Sequence, residues 1–258
     1  INTAYTNSVN DLVVSQFPDK IQIIASVPSG TVSITTTTGL TLPIGYQSSL
    51  TTAATEISFI GTAAQVNAAL ATLKYTAPAT TGVNTTISIY AAYAGINGDY
   101  RYNPANGSSY WRGSTAATWL DTYNPTTTNN DCGITFNGMC GYVAIPDNSA
   151  ETLFIPGKLG NTWSWIGLTD VATAGVLKTV ANAPNPNSTA TYTNWAIYEG
   201  TCTNSSCPYP GYSALIETYT VIGNATGTWA DMSNQSHLPQ YEFGGKNETP
   251  IFAALTRT

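Results

Sequence analysis

Four runs in the first hundred residues follow the two-residue period of strands: "DKIQIIASV" at 19–27, "GTVSITTTTGLTL" at 30–42, "TEISFIG" at 55–61 and "NTTISIYAAYAG" at 84–95. β-branched and aromatic residues fill them, and Gly, Pro and Asn bound them, as in strands with at least one buried face. One segment between them keeps a different period. In "TAAQVNAALATLKY", Val66, Leu70 and Leu73 fall at i, i+4 and i+7, and Thr62 stands where an N-cap would accept a free helix amide. The pattern predicts a β-sandwich with one short helix between strands.

The stretch from "GTVSITTTTGLTL" through "ISFIGTAAQVNAALATLKYTAPATTGVNTTISIYA" resembles the cadherin-like, immunoglobulin-type repeats of large surface adhesins, over roughly residues 18–95. A Gly-Thr-led strand, a Thr-Thr-Gly-Leu turn and the "NAALATLKYT" passage from helix to strand carry the likeness. The resemblance implies an immunoglobulin-like, all-β sandwich over residues 1–97, a spacer or adhesive module without catalysis. The Asp/Asn linker motifs by which cadherins hold calcium do not occur here, so no metal is expected in this half. Residues 98–112, inside "GINGDYRYNPANGSSYWRGST", are rich in Gly, Asn, Tyr and Pro without an apolar period and read as a linker.

The second half carries five motifs in a fixed order: "GYVAIPDNSAETLFI" at 141–155, "WSWIGLTD" at 163–170, "YTNWAIYEG" at 192–200, "YSALIE" at 212–217 and "GTWADMSNQSHLPQYEFGG" at 227–245. This order resembles C-type lectin-like domains and implies an α+β domain over residues 113–245, followed by a tail over 246–258. In that family the first motif is a strand running into a helix. "WIGL" is the central strand, where Trp165, Ile166 and Leu168 pack the core and Gly167 lets backbones approach closely. The long, proline-bearing stretch between Thr169 and Thr228 falls where the family builds its binding surface.

In calcium-dependent members a Glu-Pro-Asn triplet and a Trp-Asn-Asp triplet hold one Ca²⁺ among six to eight oxygens, and sugar hydroxyls complete the shell. Here Trp229 and Asp231 match the second triplet, but Ala230 replaces its Asn. Glu199 aligns with the first triplet's Glu, without the Pro or Asn that should follow. The resemblance therefore implies a degenerate site at Glu199 and Asp231, too poor in oxygens for the usual calcium-dependent sugar mechanism, and no required cofactor. Tyr192, Tyr198, Tyr209 and Tyr212 offer rings on which a sugar could stack or a protein could dock.

Charged residues are only 9% of the chain, with 14 acids against 8 bases and no basic cluster, which argues against nucleic acid or an anionic membrane surface as partner. A surface so poor in charge suits a glycosylated or assembled protein. Sequons stand at Asn84, Asn106, Asn187, Asn204, Asn224, Asn234 and Asn247, a number that 22 asparagines in a Ser/Thr-rich chain produce by chance, so glycosylation is permitted rather than indicated. The cysteines fall in two close pairs, Cys132 with Cys140 and Cys202 with Cys207, without zinc-ligand spacing. Two short-range disulfides in an oxidising compartment are expected, although four cysteines allow three connectivities. A start at Ile1 rather than Met fits a processed, exported chain with no membrane-inserted segment.

The one histidine, His237, lies in a Ser/Asn/Pro-rich turn, and no nucleophile elbow or HExxH motif occurs. The expectation is a non-enzymatic extracellular structural or adhesive surface protein. The apolar runs at Leu12–Val14 and Ile251–Leu255 could each add a strand to a neighbouring copy and build a homopolymeric fibre. The alternative is a secreted lectin that recognises glycans through its long loop.

Overall fold

The computed structural model describes residues 19–79, 85–95, 97–112, 134–136, 139–160, 163–173, 175–180, 185–196, 219–223, 225–232 and 251–255. The chain is mixed α/β, built of small antiparallel sheets with few helices. It divides into two compact units, Ile1–Asn106 and Gly107–Thr258.

In the first unit, β1 (Lys20–Ser26) runs between β3 (Glu56–Gly61) and β5 (Ser88–Gly95), antiparallel to both, and β2 (Thr31–Ser33) pairs with β4 (Lys74–Thr76). Among the described residues these two sheets hold five strands, short of the roughly seven of an immunoglobulin-type sandwich. Helix α1 (Ala63–Leu70) starts at Thr62, whose hydroxyl accepts from the Gln65 amide while the Gln65 side chain accepts from the Thr62 amide, a full capping box. Val66, Leu70 and Leu73 are buried with Ile21, Ile23, Ile57 and Phe59 in one apolar core, as their spacing predicts.

The run at 30–42 forms a ladder only over β2. Beyond it the Thr72 hydroxyl accepts from the amides of Thr35 and Thr36, both at 3.1 Å, so a side chain takes the place of a partner strand. Residues 98–112, expected as a linker, contain β6 (Arg101–Asn103) and β7 (Ser108–Arg112). Pro104, Asn106 and Gly107, read as linker signals, instead make the turn between the two strands, pinned by the Ala105 amide donating to Asn103 Oδ1.

In the second unit four strands lie in the order β7, β14 (Ile251–Leu255), β9 (Met139–Val143), β8 (Ile134–Phe136). A second sheet has the order β11 (Lys178–Thr179), β10 (Ser164–Thr169), β12 (Tyr219–Gly223), β13 (Thr228–Met232). β14 corrects two expectations. Residues 246–258 are not only a tail, and Ile251–Leu255 is paired with β7 and β9 of its own chain rather than left for a neighbour. A strand satisfied on both edges has no ladder to offer. The other proposed exchange segment, Leu12–Val14, lies outside the described residues.

β9 leads into α2 (Ser149–Leu159), capped by Asn148, whose side chain accepts from the Glu151 amide at 2.9 Å. Trp165, Ile166 and Leu168 of β10 are fully buried. Gly167 lies against the chain at Val143: a Cβ there would stand 2.6 Å from the Val143 carbonyl oxygen, and its amide donates to Ala144 at 2.7 Å. Any side chain at 167 would separate the two strands. No helix among the described residues is long and apolar enough to cross a membrane.

Candidate functional site

The β12–β13 hairpin sets the site. Its register pairs Thr220 with Asp231, Val221 with Ala230 and Ile222 with Trp229. Strand alternation therefore sends Trp229 to one face, where it packs with Ile166, Leu168 and Ile222, and Ala230 to the other, where it packs with Trp165, Val180 and Val221. Ala230, which the sequence resemblance sets against a ligating Asn, is thus buried in an apolar cluster, 2% exposed.

Residues 185–196 form a segment sewn down at both ends. At one end Thr179 and Ser188 exchange hydrogen bonds (amide to carbonyl 3.0 Å, amide to hydroxyl 3.0 Å), and the Ala190 amide donates to Leu177 at 3.0 Å. At the other end Trp229 donates to the Asn194 carbonyl and Ala196 donates to the Trp229 carbonyl, both at 2.8 Å, a parallel bridge between Trp195 and Trp229. The Asn194 side-chain amide donates to the Gly227 carbonyl at 2.9 Å. Tyr192 and Trp195 stand edge-on to the Trp229 ring, with centroids at 5.7 and 6.1 Å and interplanar angles of 83° and 81°. Trp229 is buried, while Tyr192, Asn194 and Trp195 are half-buried and keep part of their surface for a partner.

Asp231 has a neighbour that the sequence reading missed. Asp170, just past β10, is 3% exposed; its Oδ2 accepts from the Gly175 amide at 2.8 Å, and its Oδ1 is buried without a hydrogen-bond partner. Burial raises its pKa first, the Gly175 bond opposes this, and the Asp231 charge adds to the rise. The Thr220 hydroxyl, on the strand position opposite Asp231, is also buried and unpartnered. The signal was present in the sequence, since "WIGLTD" ends in an acid followed by a short turn, but an acid at a strand end reads first as solvated.

Among the described residues these groups supply few oxygens. No group of three His, Cys, Asp or Glu side chains gathers among the described residues. Asp170 and Asp231 supply two carboxylates, one oxygen is already engaged by Gly175, and position 230 faces away. A hard cation takes six to eight oxygens, more than these two residues provide by themselves.

Of the other expected site residues, only Tyr192 joins the arrangement. Glu199, Tyr198, Tyr209, Tyr212 and His237 lie outside the described residues, as do Cys132, Cys202, Cys207, Asn84, Asn204, Asn224, Asn234 and Asn247. Cys140 falls in β9. Asn106 and Asn187 are exposed.

No protein-family model matches the chain, and no curated protein matches it. The similar solved structures are C-type lectin-like domains that match about 60% of it. They include the C-type lectin CEL-I from Cucumaria echinata, at 15% identity and a TM-score of 0.41 over 60% of this chain and 94% of that one. Human lithostathine is similar at 14% identity and a TM-score of 0.39 over 61% and 89%. The cow C-type carbohydrate-recognition domain of CD23, solved in the presence of a GlcNAc2Man3 oligosaccharide, is similar at 17% identity and a TM-score of 0.39 over 62% and 95%.

Proposed function

We propose that the chain is a non-enzymatic, extracellular binding module. Its second unit, a C-type lectin-like domain, holds a carbohydrate partner without calcium, and its first unit serves as a spacer. The ordered motifs support the domain reading. The observation that carries the binding reading is the segment at 192–196, fixed by backbone bonds to Trp229 so that the partly exposed Tyr192 and Trp195 rings are both held edge-on against the buried Trp229. Rings stack on the apolar faces of sugars, amides serve their hydroxyls, and a preorganised surface loses little entropy on binding. The apolar burial of Ala230 supports the absence of calcium from the mechanism.

A glycan array with the intact protein tests this, read with and without chelator. Binding unchanged by chelator and weakened at least about tenfold by Trp195→Ala, about 1.4 kcal/mol, is the expected result. Chelator-sensitive binding would overturn the calcium-free mechanism. Binding that Trp195→Ala leaves intact would remove this surface from it.

A further inference from the structure

Helix α2 carries a buried proline, Pro156, in its interior, where a helix tolerates that residue least. Pro156 has no N–H, so the Thr152 carbonyl, four residues earlier, lacks its helical donor, and the proline ring pushes that carbonyl away from the helix axis. The freed carbonyl meets the β12–β13 turn. A Cβ on Gly227 would lie 2.3 Å from the Thr152 carbonyl oxygen, 2.8 Å from its Cγ2 and 2.9 Å from its carbonyl carbon. In glycine that place belongs to a hydrogen, so a Cα–H of Gly227 faces the oxygen as a weak C–H···O donor. Gly227 also has a φ of +64°, in the left-handed region. Gly157, next to the proline, has open space where its own Cβ would stand, so the two glycines differ in kind.

From Gly227 the contact passes to the 192–196 segment. Asn194 Nδ2 donates to the Gly227 carbonyl at 2.9 Å and to the Thr226 carbonyl at 3.4 Å, while the Asn194 carbonyl accepts from the Trp229 amide at 2.8 Å. Ile155 of the same helix shares the core of Trp229, against which Tyr192 and Trp195 pack.

We propose that Pro156 and Gly227 are a matched pair of positioning residues. The proline frees a helix carbonyl, the glycine seats the turn against it, and the seated turn holds Asn194 and, through it, Tyr192 and Trp195. Only the use of this pair rests on the proposed binding surface; the pair itself is measurable without a ligand.

Hydrogen exchange of the intact chain separates this role from a merely structural one. In Pro156→Ala the new N–H bonds the Thr152 carbonyl and draws it back towards the helix axis, away from Gly227. Protection at the Trp229 and Ala196 amides should fall about tenfold, while the amides of α2, in a helix relieved of its proline, keep or gain protection. Gly157→Ala also improves the helix but fills open space, and it should leave Trp229 and Ala196 unchanged. Equal results in the two variants, or a loss that spreads to β10, would overturn the proposal. Asn194→Ala supplies a second arm. It cuts the link from Gly227, so it should lower protection at Ala196 by itself, and Pro156→Ala added to it should change nothing more. Additive losses would overturn the proposal as well.

Discussion

At the scale of single residues, the parity of one strand decides what the site can hold. Trp229 is fixed in its core by two tryptophan–backbone bonds to 194 and 196, so Ala230 must face the opposite cluster. Placing an amide there with Ala230→Asn should therefore not create a metal site. It should bury an amide among Trp165, Val180 and Val221 and cost about 2–4 kcal/mol of stability. Denaturant unfolding together with calcium titration calorimetry checks this, and a stable variant with newly acquired calcium affinity would refute the face assignment. The sequence made Trp165, Ile166, Gly167 and Leu168 legible because their roles depend on a short local pattern. It could not reveal the inward turn of residue 230, because the triplet motif says which residues ligate elsewhere and not which way this strand is rolled. Asp170 was hidden for a related reason: the turn it caps through Gly175 is what buries it, and that closure follows from folding.

At the scale of elements, legibility follows how local the determinants are. Helix α1 was readable in full because cap, period and buried face lie within twelve residues, from Thr62 to Leu73. Thr62→Ala removes the acceptor for the Gln65 amide and should cost the first unit about 1 kcal/mol, measurable as a lower urea midpoint at unchanged slope; no loss would mean that the box contributes nothing beyond solvent. Strands of three and five residues on either side of a Pro-Ala-Asn-Gly turn were not readable, because β6 and β7 are too short to show a period. The opposite error affected residues 34–42, where β-branched residues promised a strand. The amides of Thr35 and Thr36 instead find the Thr72 hydroxyl, a partner more than thirty residues away that no local pattern announces.

At the scale of the whole molecule, the placement of β14 is the fact that sequence could least supply. "IFAAL" at 251–255 is apolar enough to enter a sheet but contains nothing that names its neighbours, and the partners it takes, β7 and β9, begin at residues 108 and 139. Pairing across such separations closes long loops and is expected to form late. A chain ending before Ile251 would leave the inner edges of β7 and β9 without hydrogen-bond partners, with β9 and β8 parted from β7. The first unit should survive that loss, since every member of its apolar core lies between Ile21 and Ile89. Truncation at 250 should therefore abolish exchange protection in β7 and β9 while β1, β3 and β5 keep theirs, and a synthetic peptide of residues 249–258 added in excess should restore part of what was lost. Protection in β7 and β9 that persists without the segment would show that β14 only covers a sheet already formed. Rescue by the peptide would show the opposite: the open slot accepts this strand specifically, and the intact chain avoids joining its copies because it fills the slot itself.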